Sequence, residues 1–217
     1  MGKHAFSLKT IYLAALTAVF AVSFFAFVAF DLYSQQRQTE QAMLEEARTF
    51  AREMDAVWQF MDNSQSIINN SSSGGYEFKG LHCSVVGKSV GRLFSAGSDY
   101  HIRYTNFDPR SEQDIPDEFE TKALEAFNAD RSVTEYYGVA PFDGEDRFRY
   151  LQALEVDDSC LECHGEPVGE LDITDHAKEG WTLESVGGAI SIVIPLDQQQ
   201  AAMRGNVIRD MAYFLLI

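Results

Sequence analysis

In the stretch SCLECHGEP, from Ser159 to Pro167, three reactive side chains stand at fixed spacing: Cys160, Cys163 and His164. Two thiols so placed can add across the two vinyl groups of a haem. The imidazole that follows can reach the iron from the same side. With three cysteines and five histidines in the chain, chance placement gives such a motif about once in a thousand sequences. Other chemistries use similar residues. A Cys160–Cys163 disulfide or redox pair is one, although that pair ordinarily opens a helix in a thioredoxin-like βαβ pattern, which is not visible here. A zinc ion held by Cys160, Cys163, His164 and Cys83 is another. It would need the adjacent residues 163 and 164 on one tetrahedral ion, and the chain has no second CxxC and no HxxxH. Covalent haem is the reading that needs no further ligand pair.

The third cysteine, Cys83, lies in GLHCSVVGKSVG. It reads either as a small buried apolar residue or as a thiolate on the open face of a haem iron. His82, Met61 and His101 compete for that position. His4 precedes a long apolar segment, on its other side, and His176 falls in a polar loop, where it is solvated. Lys88, Arg92, Arg103 and Arg110 are candidate partners for haem propionates, or ordinary surface charges.

These residues need elements to position them. Ile11 to Phe30 is an uncharged apolar run, long enough as a helix to cross a hydrocarbon core of roughly 30 Å. Lys3 and Lys9 precede it and Asp31 follows. The positive-inside bias then puts the N-terminus in the cytoplasm and the remainder outside, on the oxidising side that suits haem attachment. A cleaved signal peptide would end in small residues, and Phe27-Val28-Ala29-Phe30 fits that poorly. The chain carries a net charge of −16, all of its acids falling from Asp31 onward, which argues against a nucleic-acid partner. Beyond the anchor, Met43, Ala47, Phe50, Met54, Val57 and Met61 recur at spacings of four and three. That is the seam of a coiled coil, or of a helix packed on its own domain.

Asn69 to Gly75, NNSSSGG, ends the helix. Strands are predicted over His101–Phe107, Val133–Val139, Phe148–Val156 and Val186–Leu196. Phe148, Tyr150, Leu154 and Val156 share one face of the third, and Ile190, Ile192, Ile194 and Leu196 one face of the last. Asp143-Gly144-Glu145 suits a hairpin loop. Helices are predicted over Leu81–Phe94, Pro116–Phe127 and Leu196–Asp210. The fold class is therefore α+β, an antiparallel sheet with flanking helices, preceded by a long transmembrane and coiled-coil-like helix. The expected organisation is a cytoplasmic stub and anchor over 1–30, a juxtamembrane helix over 31–69, a mixed helix-and-sheet domain over 70–196, and a membrane-directed helix over 197–217. The terminal MAYFLLI reads as the start of a second transmembrane segment or as a short hydrophobic tail.

Taken together, HCSVVGKSVGRLFS (82–95), IRYTNFDPR (102–110), IPDEFE (115–120), FRYLQALEVDDSCLECHG (148–165) and VGGAISIVIPL (186–196) resemble the PAS-like, haem-c-binding extracytoplasmic sensor domains of bacterial membrane receptors. The resemblance spans about Gln59 to Leu196. It implies a PAS-like sheet, one c-type haem on Cys160 and Cys163, His164 as axial ligand, and a cysteine matching Cys83 near the haem face. Many relatives have Arg-Asn-Pro where this chain has Phe107-Asp108-Pro109, and Trp where Phe119 stands. The expected function is a haem-based sensor of redox state or of a diatomic gas, with its output module elsewhere. The rival is a membrane-tethered monohaem cytochrome that carries electrons. Membrane lipid, a gas or redox partner, and a second copy through the juxtamembrane helices are the expected partners. The chain has no nucleophile–base pattern, phosphate loop or metalloprotease motif, so no enzymatic activity is expected.

Overall fold

The computed structural model describes residues 7–216. Lys3, His4 and Ile217, which figure in the reading above, lie outside the described residues. Residues up to Ala42 together with those from Asp197 onward form one compact unit, and Met43–Leu196 forms a second.

In the first unit, helix α1 (Leu8–Asn63) begins, and its apolar stretch is exposed rather than packed in a protein core. Helix α6 (Asp197–Leu216) runs antiparallel to it. Asn206 donates to Gln35 at 3.5 Å, and the Phe214 ring meets Phe20, Phe24 and Phe27 at centroid distances of 5.6, 5.4 and 4.9 Å.

The second unit is built on an antiparallel sheet. Its strands are β1 (His101–Thr105), β2 (Glu135–Phe142), β3 (Glu145–Glu155) and β4 (Val186–Ile194), in the order β1-β4-β3-β2. Alternation of side chains dictates two faces. Ile102, Tyr104, Phe148, Tyr150, Ile190, Ile192 and Ile194 form one of them, buried under Met43, Leu44, Ala47, Ala51 and Met54 of α1. The seam read from the sequence is thus covered by the chain's own sheet. The buried stripe is wider than a heptad seam, taking in Leu44 and Ala51, because a flat sheet covers more of a helix than a partner helix does. Arg48 fixes this docking through a fork onto Glu135, with Nη2 and Nε donating at 2.7 and 3.0 Å.

The opposite face packs Leu151 and Ala189 against Ala123, Leu124 and Phe127 of α4 (Glu118–Ala129). A capping box between Asp117 and Glu120 starts α4, satisfying its first backbone N–H groups. β2 and β3 join through Asp143-Gly144, both at positive φ (51° and 84°), the two-residue turn whose twist matches the strands. A short helix α2 (Gln65–Ile68) follows α1, and α3 (Cys83–Ala96) lies along β1. α3 approaches closely because two glycines face inward. A Cβ at Gly87 would touch Trp58 of α1 at 3.0 Å, and one at Gly91 would meet the Ile102 carbonyl at 2.9 Å.

Candidate haem-attachment site

After a bulge between Ala153 and Glu155, the chain leaves β3 and turns into α5 (Asp158–His164). Asp157 caps this helix. Its Oδ1 accepts from the backbone N–H of Ser159 (3.0 Å) and Cys160 (3.1 Å), and from the Ser159 hydroxyl (2.7 Å). The cap places Cys160 and Cys163 one turn apart, with His164 in the last turn. Gly165 ends the helix at a spot where a Cβ would lie 2.6 Å from the Leu161 carbonyl oxygen.

The segment after α5 folds back over it. Leu171 and Ala177 pair as an isolated bridge, and the Trp181 N–H donates to the His164 carbonyl at 2.7 Å. Asp172 organises the turn. Its Oδ1 accepts from the Thr174 N–H and hydroxyl, both at 2.7 Å, which leaves Oδ2 free to accept from Arg110 Nη1 at 2.6 Å. Arg110 also donates through Nε to Glu179 Oε1 (2.6 Å), and through Nη2 to Glu179 Oε2 (3.0 Å) and to the Cys163 carbonyl (3.0 Å). One guanidinium therefore ties the loop after β1 to α5 and to the segment that follows α5.

His164 is held by this network. Its Nδ1 lies 2.8 Å from Glu179 Oε2. The Trp181 indole stacks on the imidazole at a centroid distance of 4.0 Å and an interplanar angle of 11°. Burial pushes the Glu179 carboxyl up, but hydrogen bonds from Arg110 and His164 outweigh it and hold the group below the usual carboxylate range. Burial lowers His164 against the opposing pull of Glu179. An ionised carboxylate can only accept, so Nδ1 carries a proton, and in the neutral imidazole the Nε2 lone pair is then open.

The N-terminus of α3 faces this site. Burial pushes the Cys83 thiol up to about 12, with added contributions from the Asp62 and Cys160 charges. His82, at the cap position of α3, has its Nδ1 3.0 Å from the Ser84 hydroxyl. Burial lowers it, and Lys88, Asp172, Arg110 and His164 all act on it. Burial likewise raises Cys160, to about 11, and Cys163. Cys160, Cys163 and His164 thus share one short helix, and the charges of Cys160 and His164 reach Cys83 and His82 at the start of α3. Met61 lies near by, since Gln65 Nε2 donates to both the Met61 and the Leu81 carbonyls at 2.9 Å. His101 does not join them. It packs on Phe142 and its charged neighbours are Arg103, Asp143, Glu120 and Arg149. His176 is exposed on the loop, as the sequence suggests.

Among the cations considered for propionates, three are already engaged. Lys88 pairs with Asp114 at 2.5 Å, Arg103 with Glu120 at 3.0 Å, and Arg110 with Asp172 and Glu179; Arg92 is exposed. Sequence reasoning passed over Glu179 and Trp181, which contact His164 directly. Nothing local marks Glu179 among 33 acidic residues. Trp181, one of two tryptophans, was the more visible signal.

The family profile described as Tll0287-like matches residues 36–195, which is most of the chain. The chain belongs to the Tll0287-like family. That match takes in the segments on which the sequence resemblance rests. The fold of this Tll0287-like chain is similar to a solved structure described as the cyanobacterial heme-protein Tll0287, with a TM-score of 0.52. The two are 18% identical over 71% of this chain and 95% of that one, a likeness that establishes the shared mixed helix-and-sheet fold. No curated protein matches the chain.

As a donor set, the Tll0287-like site offers what covalent haem attachment requires: two thiols on one short helix, and an imidazole whose Nδ1 is occupied and whose Nε2 is not. Among the described residues no three His, Cys, Asp or Glu side chains are gathered as a metal cage.

Proposed function

We propose that this domain carries one c-type haem, bound through Cys160 and Cys163 with His164 as the axial ligand, and that it senses redox state or a diatomic gas outside the cytoplasmic membrane. The observation that carries the reading is the fixed His164 imidazole, Nε2 free, on the same short helix as both cysteines. Support also comes from a family relative described as a haem protein. When bound, the haem would supply an iron that changes oxidation state and could take a further ligand.

The chain's own residues set the response. Cys83 is the candidate for the second axial position, and it is the first residue of α3. Movement of Cys83 would move α3, whose Gly87 rests on Trp58 of α1. α1 in turn runs without interruption into the apolar segment. This continuity favours a sensor over a tethered cytochrome, which needs no such link. Two membrane-facing helices, a cytoplasmic N-terminus marked by Lys3 and Lys9, and an output module outside this chain complete the reading. We assign it no enzymatic activity. Pairing of two copies falls to the juxtamembrane helix over 31–69, on residues other than Met43, Ala47 and Met54, which its own sheet covers.

The test is the absorption spectrum of the reduced protein with and without CO or NO. A sensor binds the gas and shifts its Soret band. No gas binding, together with rapid electron exchange with small redox partners, would favour the cytochrome.

A further inference from the structure

We infer that Glu179, clamped by Arg110, is a positioning residue for His164 that fixes its tautomer and ring orientation and lowers the midpoint potential of the iron it holds. The inference rests on His164 being the axial ligand. Metal-bound histidines donate their second ring N–H to a carboxylate, a carbonyl or water, and a carboxylate makes the imidazole the strongest electron donor of the three. Here the acceptor is a full carboxylate. Glu179 Oε1 takes Arg110 Nε at 2.6 Å, and Oε2 takes both Arg110 Nη2 at 3.0 Å and His164 Nδ1 at 2.8 Å. The two-pronged guanidinium contact stops the carboxylate from rotating.

Arg110 is anchored in turn by Asp172 and the Cys163 carbonyl. Asp172 is fully buried as a side chain and Glu179 is 18% exposed. Two carboxylates therefore surround one guanidinium, leaving an excess negative charge beside the ligand. Such a charge stabilises the oxidised, more positive iron of a one-electron couple over the reduced one. Trp181 fixes the ring plane from its face, while Glu179 fixes the rotation about it. The site thus holds its permanent ligand rigidly, so that change is confined to the α3 side.

The test uses the full-length, haem-loaded protein and the variants Glu179→Gln, Glu179→Asp and Trp181→Leu. Covalent haem is counted in each by pyridine haemochrome, and the midpoint potential is then measured by spectroelectrochemical titration. Glu179→Gln should shift the potential to more positive values, Glu179→Asp should recover part of the shift, and Trp181→Leu should move it less than Glu179→Gln. A second arm needs no haem. In protein with both attachment cysteines changed to serine, nitrogen NMR of His164 should show the proton on Nδ1, and Glu179→Gln should move it toward Nε2. Equal potentials for wild type and Glu179→Gln, or an Nε2–H tautomer in the haem-free wild type, would overturn the proposal. Failure of the underlying reading looks different: His164→Met would leave the Soret band unchanged.

Discussion

Replacing Gly91 by alanine should loosen the domain, even though alanine is the better helix former. Gly91 lies inside α3, where the exchange ordinarily gains about 1 kcal/mol. A Cβ there would sit 2.9 Å from the Ile102 carbonyl oxygen. That oxygen belongs to β1, which is paired along its length with β4, so the helix must yield rather than the strand. Overpacking of this kind costs about 1–3 kcal/mol, leaving a net loss of up to about 2 kcal/mol. For a domain of this size the corresponding fall in Tm is up to roughly 8 °C. The control is Gly97→Ala, whose new Cβ would meet nothing closer than 3.8 Å. That change should stay within about 0.5 kcal/mol. Urea unfolding followed by circular dichroism measures both. Because Cys83 begins α3, the Soret band of haem-loaded Gly91→Ala should also move. A stabilised Gly91→Ala protein, or one that unfolds like Gly97→Ala, would refute the close seating of α3 on β1.

Three further outcomes follow from the same geometry. Cys83→Ala should shift the Soret band and leave covalent haem in place; an unchanged spectrum removes Cys83 from the iron. In haem-free protein at pH 8, Cys83, pushed up to about 12 from an ordinary 9.0, should hold about a thousandfold less thiolate than an exposed cysteine and alkylate correspondingly slowly. Mass spectrometry after timed iodoacetamide treatment reads this, and labelling as fast as a free thiol contradicts the burial. The Arg48 hydrogen bond lowers the Glu135 carboxyl from its ordinary 4.5, so the pair's contribution is complete above that value and is lost as pH falls through the lowered one. Arg48→Gln should therefore flatten part of the acid limb of stability between pH 5 and 3, and an unaltered limb would count against the pair.

The strands were legible because one side of each faces a core. Period-two runs such as Ile190, Ile192 and Ile194 leave little choice of register. Asp143-Gly144 was legible for a local reason, the need for positive φ at both turn positions. The seam of α1 was visible as a stripe, but its partner was not. Met43, Ala47 and Met54 suit a second helix or a sheet equally, and the additional burial of Leu44 and Ala51 declares the sheet. The cysteine–histidine motif stood out because its chemistry is compressed into five residues. Its supports did not, because Arg110 and Glu179 converge from segments 69 residues apart and carry no local mark. Arg110 was read as a partner for a propionate or an ordinary surface charge, and the two carboxylates of its own chain that engage it lie far off in sequence. The position of Cys83 opposite α5 likewise depends on how α3 crosses β1, which only the folded chain specifies.

The most direct measurement is a pyridine haemochrome spectrum of the full chain, produced together with a cytochrome c maturation system and taken after acid–acetone extraction. The account predicts one covalent haem per chain with the spectrum of two saturated thioether links, reduced to one link in Cys160→Ser or Cys163→Ser. Haem that extracts completely, or a protein that takes up none under these conditions, would contradict it.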